Sequence, residues 1–264
     1  KGWCAEMKLL PVSLGDRSYD IHIAPGRLDD TGKLCQQVLP RATRLAVVTD
    51  DTVGGLYAHR LLQSLWARGY TASVISLPAG EQTKSLHNLG VLYDSFMEMG
   101  LTRTDAVVAL GGGVVGDLAG FAASIYMRGI DFINCPTTTL SMIDSSIGGK
   151  TAVDLGDTKN IVGAFWQPKL VIVDPATLST LPRRHYINGL AEAVKAGLLA
   201  DPELFAIFEK GDIDTQISEI IYRSLRFKKN VVEQDETERG MRKALNFGHT
   251  IGHGIEAVKG VKGR

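Results

Sequence analysis

Short apolar segments alternate with longer amphipathic segments from residue 44 to residue 176 of this sequence. The apolar segments have the length and composition of buried strands, and they are RLAVVTD, TASVISLP, AVVAL, DFINCP and KLVIVDPA. Most of the segments between them repeat their apolar residues at helical spacing. Strands that alternate with helices in this way pair in parallel, with helices on both faces of the sheet. The sequence therefore predicts an α/β fold with a mostly parallel sheet.

The alternation ends near residue 180, and every later periodic segment repeats its apolar residues at steps of three and four, as a helix does. We therefore predict two domains, an α/β domain over residues 1–178 and an all-α domain over residues 179–264. A length of 264 residues is consistent with two domains. Residues 9–24 alternate apolar and polar side chains on both sides of Gly15-Asp16, which predicts a two-stranded ribbon.

The charges of the chain balance, since it contains 29 Lys and Arg and 29 Asp and Glu residues. A net charge of zero provides no field that would attract a polyanion, so we expect no nucleic-acid partner. No apolar run approaches the ~18 residues of a membrane helix, and the first residues lack the apolar region of a signal peptide. We therefore expect no membrane partner and a cytoplasmic location.

The segment GGGVVGD follows the predicted strand AVVAL and begins a predicted helix, so that Gly111, Gly113 and Gly116 have the spacing G-x-G-x-x-G. Such a turn lets a diphosphate approach the backbone at a helix N-terminus, where free N–H groups and the helix dipole favour anions. A standard Rossmann unit carries a ribose-binding acid at the end of the next strand, whereas the candidate Asp131 begins that strand. The motif predicts phosphate or dinucleotide binding in a non-standard Rossmann-like unit. The alternative is a tight turn without a ligand.

Residues 135–154 contain four threonines, three serines, two glycines, Asp144 and Lys150. Their apolar periodicity is too weak for a core element, so we predict a loop that follows a parallel strand. Ligands of open α/β sheets bind at this edge, and Ser, Thr, Gly and Lys supply donors to phosphate oxygens. The alternative is a solvated loop, which does not explain why Asp144 and Lys150 share a Gly-rich segment at the carboxyl edge of a parallel strand.

Two helical segments near the end of the chain carry charged residues and histidines on one face. Glu192 and Lys195 lie three residues apart in GLAEAVKAG. Steps of four, three and four place four further side chains on one face, and these are Arg242, Asn246, His249 and His253. Two histidines one turn apart can bind one metal ion, joined by a carboxylate from a facing helix. The alternative is a pair of hydrogen-bonded histidines without a metal.

The order of these segments resembles the 3-dehydroquinate synthase family of the shikimate pathway. The resemblance runs from LGDRSYDIHIAPG through the glycine turn, KNIVGAFWQPKLVIVD and GLAEAVKAG to LNFGHTIGHGIEA. It implies a Rossmann-like domain followed by a helical domain, a homodimer, NAD, and zinc or cobalt. It also implies a lyase that converts a small sugar-phosphate acid, 3-deoxy-D-arabino-heptulosonate 7-phosphate, to 3-dehydroquinate and phosphate.

The resemblance also implies roles for individual residues. The residues that would contact the dinucleotide are Asp50, Glu81, Lys84, Gly112, Gly113, Val114, Asp117, Thr137, Thr138, Asp144, Lys150 and Lys159. Glu192 and His249 would bind the metal ion. The residues that would contact the substrate are Lys150, Asn160, Lys195, Lys228, Arg242, Asn246 and His253, while Arg128 would reach the site of the neighbouring subunit. The spacing argument places both histidines on the metal, whereas the resemblance assigns His253 to the substrate.

The chain departs from the family pattern at its end. Family members continue into an L-H-G-E segment with a further histidine ligand, and the printed sequence ends at Arg264, before that segment. We therefore expect an incomplete helical domain. Three alternatives stay open: another sugar-phosphate cyclase, a metal- and NAD-dependent polyol dehydrogenase, and a chain that binds NAD but is inactive without a complete metal site.

Overall fold

The computed structural model describes residues 7–246, and His249 and His253 lie outside the described residues. The described part contains nine strands: β1 Lys8–Val12, β2 Tyr19–Ile23, β3 Arg44–Asp50, β4 Thr71–Leu77, β5 Ala106–Gly111, β6 Asp131–Pro136, β7 Lys150–Leu155, β8 Thr158–Phe165 and β9 Leu170–Val173. Its α-helices are α1 Thr31–Val38, α2 Asp51–Val53, α3 His59–Trp66, α4 Leu86–Glu98, α5 Gly113–Ile125, α6 Arg183–Ala200, α7 Pro202–Lys210 and α8 Ile217–Gln234. No helix within residues 7–246 is long and apolar enough to cross a membrane.

Seven strands form one sheet in the order β1-β2-β9-β6-β5-β3-β4. Only the β1–β2 pair is antiparallel, and it forms the predicted ribbon. The other neighbours pair in parallel. The structure therefore confirms the predicted α/β fold, and the predicted strands and ribbon are present.

The strand order reverses between β3 and β5. The chain passes from β3 to β4 on one side, then returns to β5, β6 and β9 on the other side. Ligands of open α/β sheets bind outside the carboxyl ends of the strands at such a point. Asp50 ends β3 and Gly111 ends β5, so both residues border it. The order also differs from the six-stranded order 3-2-1-4-5-6 of a standard Rossmann domain.

The sheet is buried on both faces because its central strands are apolar at successive positions. Leu45 and Val47 of β3 pack in a cluster with residues of α1 and α3. Ala46 and Val48 point to the other face, in a cluster with residues of α4 and α5. All six residues of β5 are buried. Continuous apolar runs of this kind are typical of parallel strands that helices cover on both sides.

The helices after residue 180 pack against the end of the sheet that β1, β2 and β9 form. Leu190 and Ala193 of α6, Leu204 of α7 and Ile221 of α8 belong to one cluster with residues of β1, β2 and β9, such as Ile21. Between Arg183 and Asn246 the structure contains helices and turns but no strand, which agrees with the predicted helical region. The helical cluster therefore shares its core with the sheet.

The predicted loop over residues 135–154 is only partly a loop. After β6, the chain forms a wide helical turn over Ser141–Ser145, and β7 then pairs with β8 as an antiparallel hairpin. The prediction of a loop was wrong here because few residues of the hairpin are buried, so the sequence carries no clear amphipathic strand pattern. In β7 only Thr151 and Val153 are buried, and β8 has no fully buried residue.

Two further boundaries differ from the predictions. The apolar spacing of YAHRLLQSLWARG predicts a helix over residues 57–69. The helical segment begins at Asp51 instead, because the side chain of Asp50 accepts a hydrogen bond from the Val53 amide at 2.8 Å and caps the helix. The segment Met241–Asn246 is a 3₁₀-helix instead of part of an α-helix. The carboxylate of Asp235 accepts hydrogen bonds from the amides of Gly240 and Arg242 at 2.7 and 3.0 Å. These contacts hold the chain in a tight turn just before this segment.

Candidate active site

A cavity of about 610 Å³ lies between α5, the wide turn Ser141–Ser145, the β7–β8 hairpin, α6, α8 and the Met241–Asn246 segment. The residues that the sequence analysis selected and that line this cavity are Asp117, Asp144, Lys150, Asn160, Glu192, Lys195, Lys228, Arg242 and Asn246. They come from seven separate parts of the chain. The fold thus collects most of the residues that were assigned to the substrate.

The glycine turn forms a narrow cradle beside the cavity. Gly112 precedes α5 and has no side chain, so it cannot cap the first amides of the helix. A Cβ atom on Gly112 would lie 3.0 Å from Cγ2 of Thr138, and one on Gly113 would lie 3.1 Å from Oγ of Ser145. Side chains here would fill the space in which an anion could meet the helix N-terminus. Val114 lies in the first turn of the same helix.

Thr137 and Thr138 form the other side of this cradle. The amide of Thr137 donates to the carbonyl oxygen of Gly111 at 2.9 Å, which ties the end of β6 to the end of β5. The hydroxyl of Thr137 is buried and has no hydrogen-bond partner among the described residues. A buried hydroxyl without a partner is costly, so this atom is available to a bound group.

Lys84 connects the cradle with the hairpin. Its Nζ lies 3.0 Å from Oδ2 of Asp117 and also donates to Oδ1 of Asn160. Burial would lower the pKa of Lys84, but Asp117 and Glu81 outweigh it and raise this pKa. Burial raises the pKa of Asp117 to about 6, against the opposing effect of Lys84. Lys159 adds a longer contact, 3.9 Å from its Nζ to Glu81.

Lys228 and Asp144 form an ion pair between α8 and the wide turn. Nζ of Lys228 lies 2.8 Å from Oδ1 of Asp144. Burial would raise the pKa of Asp144, but Lys228, Lys195 and Arg242 hold it below its usual value. Burial lowers the pKa of Lys228, although Asp144 opposes this change. The carboxylate therefore stays ionised beside several cations.

Arg242 is buried, with 1% of its surface exposed. Its Nη2 donates to the carbonyl oxygen of Gly148 at 3.0 Å, and its Nη1 donates to the carbonyl oxygen of Glu236. Burial lowers the pKa of Arg242, partly offset by Glu238 and Asp144. Its Nε is buried without a partner among the described residues. The guanidinium is thus rigidly held and keeps a free donor.

The structure corrects the predicted alignment of Arg242 with Asn246. A 3₁₀-helix has three residues per turn, so residues four apart do not share a face. Arg242 is buried, whereas Asn246 is exposed and donates to Oε1 of Glu238 at 2.6 Å. The other two members of the predicted face, His249 and His253, lie outside the described residues.

Glu238 is a site residue that the sequence analysis missed. Its carboxylate contacts Lys150 as well as Asn246, and it lines the cavity. The segment DETERG resembles a solvated charged turn, so its composition gave no signal. Only its position between FKKNVV and MRKALN, two segments with candidate residues, could have indicated a role.

Glu192 and Lys195 contact each other on α6, and Nζ of Lys195 also donates to the carbonyl oxygen of Leu245. Within residues 7–246 no group of three or more His, Cys, Asp or Glu side chains could hold a metal ion. The proposed metal partner of Glu192, His249, lies outside the described residues. Glu192 is thus one cavity-lining carboxylate that a metal could use.

Several selected residues do not line the cavity. Asp50 caps α2 at the end of β3, and Arg128 is exposed after α5 with a backbone φ of 69°. The others that lie outside the cavity lining are Glu81, Lys84, Gly112, Gly113, Val114, Thr137, Thr138 and Lys159. These are residues that the resemblance assigned to the dinucleotide, and they surround the cradle or connect it with the hairpin.

Comparison with known proteins identifies the family. The model of the 3-dehydroquinate synthase N-terminal region matches residues 74–188, and the model of the C-terminal region matches residues 189–263. The chain belongs to the 3-dehydroquinate synthase family. A 3-dehydroquinate synthase of Geobacter metallireducens is 46% identical over 261 residues, which cover 96% of this chain and 72% of the relative. The function of the chain is therefore that of this family of lyases.

Solved structures of related cyclases share the fold. The 2-deoxy-scyllo-inosose synthase complexed with carbaglucose-6-phosphate, NAD⁺ and Co²⁺ has a TM-score of 0.81 and 26% identity, over 97% of this chain and 71% of that chain. The 2-epi-5-epi-valiolone synthase of Streptomyces hygroscopicus, with NAD⁺ and Zn²⁺ bound, has a TM-score of 0.77 and 30% identity, over 90% of this chain and 67% of that chain. Both are less similar in sequence than the family member from Geobacter.

Proposed function

We propose that this chain converts 3-deoxy-D-arabino-heptulosonate 7-phosphate to 3-dehydroquinate and phosphate in the cavity described above, with NAD and a divalent metal ion. The observation that carries the proposal is the convergence of four cationic side chains and Glu192 in one cavity beside the glycine cradle. A substrate with a phosphate and a carboxylate needs such a concentration of cations.

The cradle fits NAD. Its features are the strand-order reversal, the close approach at Gly112 and Gly113, and the unpartnered hydroxyl of Thr137. We propose that the first amides of α5 bind the diphosphate and that Lys84 and Asp117 orient the remainder of the cofactor. NAD, when bound, supplies a hydride acceptor that is regenerated within each turnover. Two related cyclases have NAD⁺ bound in their solved structures.

Glu192 fits one ligand of a metal site. A carboxylate is a suitable ligand for zinc or cobalt, and His249 would supply an imidazole from the residues outside the described part. A divalent ion supplies Lewis acidity toward a substrate hydroxyl. Lys195 contacts the Glu192 carboxylate from the next turn of the same helix, so both side chains lie at the same place in the cavity wall.

The cations of the cavity would bind the two anionic groups of the substrate. Lys150, Lys228 and Arg242 all line the cavity, and Lys228 and Arg242 are held by neighbouring carbonyl groups. Fixed cations stabilise the charge that develops on a departing phosphate better than mobile ones do, because they need no reorganisation. Glu238 would release Lys150 and Asn246 when a substrate anion takes its place.

Arg128 and the homodimer belong to the same proposal. Arg128 is exposed beside Met127, which is 43% exposed, at the end of α5. An exposed arginine next to an exposed apolar side chain is suited to an interface. We propose that a second copy of the chain covers this turn and receives Arg128 in its own site.

The experiment is a phosphate-release assay with the heptulosonate phosphate, NAD and zinc. We expect phosphate release without a net change in NADH absorbance, whereas a polyol dehydrogenase would accumulate NADH. Sedoheptulose 7-phosphate and glucose 6-phosphate, the substrates that other sugar-phosphate cyclases would accept, should give no turnover. Turnover of either one in place of the heptulosonate would contradict the substrate assignment.

The metal assignment has its own test. Glu192→Gln keeps the shape of the side chain but removes its charge, so we expect lower zinc content and loss of phosphate release. Glu209→Gln on α7, where the side chain is exposed, is the matched control. Zinc content measured by elemental analysis is independent of activity, and an unchanged content in Glu192→Gln would remove Glu192 from the metal site.

A further inference from the structure

Asp154 lies at an irregularity of the β7–β8 hairpin, where the register shifts between Val153 and Leu155. Such bulges redirect side chains and are common beside active sites. The carboxylate of Asp154 accepts a hydrogen bond from the backbone amide of Asn160 at 2.8 Å. The bulge therefore turns an acidic side chain toward the opposite strand, and Asp154 itself does not line the cavity.

Asn160 has a left-handed backbone conformation, with φ of 55°. This region disfavours residues with a side chain, although asparagine tolerates it better than most. In this conformation, the amide of Asn160 points to Asp154 and its side-chain oxygen accepts a hydrogen bond from Nζ of Lys84. The contact with Asp154 thus supports a backbone conformation that brings Asn160 to Lys84.

Asp154 also contacts the backbone of Lys84. The amide of Asp154 donates to the carbonyl oxygen of Lys84 at 2.9 Å, and Ser85 forms a parallel bridge with Asp154. The backbone of Lys84 is therefore fixed by Asp154, while its Nζ is fixed by Asn160 and by Asp117. The side chain of Lys84 is only 5% exposed, so it has little freedom to find other partners.

We propose that Asp154 is a positioning residue for the dinucleotide site, which acts by holding Asn160 and through it the ammonium group of Lys84. The inference rests on the proposed function, because it takes Lys84 as a contact of NAD. It assigns a role to a residue outside the cavity. A purely structural role would be different, since it would affect the stability of the hairpin and leave the affinity for NAD unchanged.

The test compares NAD affinities by calorimetry in the 264-residue chain. We expect Asp154→Ala to weaken NAD binding about fivefold, as expected for the loss of roughly one hydrogen bond. Asp154→Asn keeps an acceptor oxygen and should stay within about twofold of the wild type. Asp157→Ala is the matched control, because Asp157 lies in the same hairpin turn and is exposed.

The same substitution made in an Asn160→Gly variant tests whether Asp154 acts through Asn160. Glycine adopts a positive φ without strain, so Asn160→Gly makes the support from Asp154 unnecessary, and it also removes the side-chain contact with Lys84. In that background, Asp154→Ala should change NAD affinity less than about twofold, since coupled residues are not additive. A full additional fivefold loss would overturn the proposal.

Hydrogen exchange gives a readout that does not depend on NAD. The amide of Asn160 should exchange faster in Asp154→Ala than in the wild type, and Asp154→Asn should restore its protection. Unchanged NAD affinity in Asp154→Ala would overturn the positioning role even if exchange rises. A wild-type chain that does not bind NAD would instead overturn the proposed function, and this role with it.

Discussion

Lys228 on α8 and Asp144 in the turn after β6 are joined twice, because Nζ of Lys228 lies 2.8 Å from the carboxylate and 2.9 Å from the carbonyl oxygen of Asp144. The two residues are 84 positions apart in the sequence. The pair links the helical part of the chain to the edge of the sheet in the wall of the cavity. A group that would bind substrate thus also fixes the geometry of the wall.

We expect Lys228→Met to destabilise the protein by about 2 kcal/mol, because it leaves the Asp144 carboxylate in the cavity wall without its main partner. The value is below that of a fully buried pair since 33% of the Asp144 side chain is exposed. Urea unfolding measures the difference. Lys210→Met, at an exposed position of α7, is the control and should change stability by less than about 0.5 kcal/mol.

The double variant Lys228→Met with Asp144→Asn tests the cause. If an unpaired carboxylate is responsible, removing its charge should recover part of the lost stability. A double variant that is less stable than Lys228→Met would show that the lysine acts by packing instead.

Asp117 should make the stability of the protein depend on pH between about 4 and 6. Its pKa is raised to about 6 by burial, against the effect of Lys84, whereas an unfolded chain has a value of about 3.9. The protonated carboxyl therefore favours the folded state below about pH 4, and this stabilisation is lost as the pH rises through about 6. Relative to Asp117→Asn, the wild type should lose about 2 kcal/mol of unfolding free energy over this interval.

Unfolding by urea at several pH values measures this difference. Asp117→Asn also loses the ion pair with Lys84, which shifts its unfolding free energy at every pH. The slope of that free energy between pH 4 and 6 is not affected, because lysine titrates far above this interval. Asp157→Asn, at an exposed turn, serves as a control with the slope of the wild type. Parallel curves for the wild type and Asp117→Asn would contradict the raised pKa.

The sequence predicted the sheet well because its strands are apolar at successive positions. β3 and β5 have no interruption in their apolar runs, so their length and burial could be predicted without a structure. The β7–β8 hairpin was missed because its apolar and polar residues do not alternate, since Ile161 and Val162 are adjacent in β8 and so are Ala164 and Phe165. A hairpin that is only partly buried, and whose apolar residues do not alternate with polar ones, leaves no period-two pattern in the sequence.

The site was predicted less evenly. Motif spacing selected Asp144, Lys150, Glu192 and Lys195, all of which line the cavity. It did not predict the contact of Lys84 with Asp117, because these residues are 33 positions apart and meet only when the sheet forms. The prediction that Arg242 and Asn246 share one helix face was wrong for a local reason. The hydrogen bonds that the Asp235 carboxylate accepts favour a turn over an α-helix.

Gly189→Ala should move α6 and the site residues that it carries. A Cβ atom at position 189 would lie 2.3 Å from the amide nitrogen of Leu140 and 2.6 Å from Cβ of Thr139. Overpacking of this kind costs about 1–3 kcal/mol and shifts the helix backbone. Because Glu192 lies one turn further along α6, we also expect lower zinc content and weaker phosphate release.

Gly90→Ala on α4 is the matched control for this variant. Its Cβ atom would have no neighbour within 4 Å, and alanine favours a helix over glycine by roughly 1 kcal/mol. Thermal unfolding should therefore show opposite shifts for the two variants. Equal shifts would mean that the contact between α6 and the 139–140 segment tolerates a methyl group.

Arg242→Lys should impair the site although the charge is kept. The guanidinium donates to two carbonyl oxygens, those of Gly148 and Glu236, and a lysine cannot supply the same planar fork. At least one buried carbonyl group would lose its partner, which costs about 1–2 kcal/mol of stability. The free energy of unfolding by urea and the KM of the heptulosonate phosphate should both change, because the ammonium group would no longer be held at the cavity wall.

Arg239→Lys, at an exposed position three residues earlier, is the control and should leave both quantities unchanged. A wild-type KM for Arg242→Lys together with reduced stability would restrict Arg242 to a structural role.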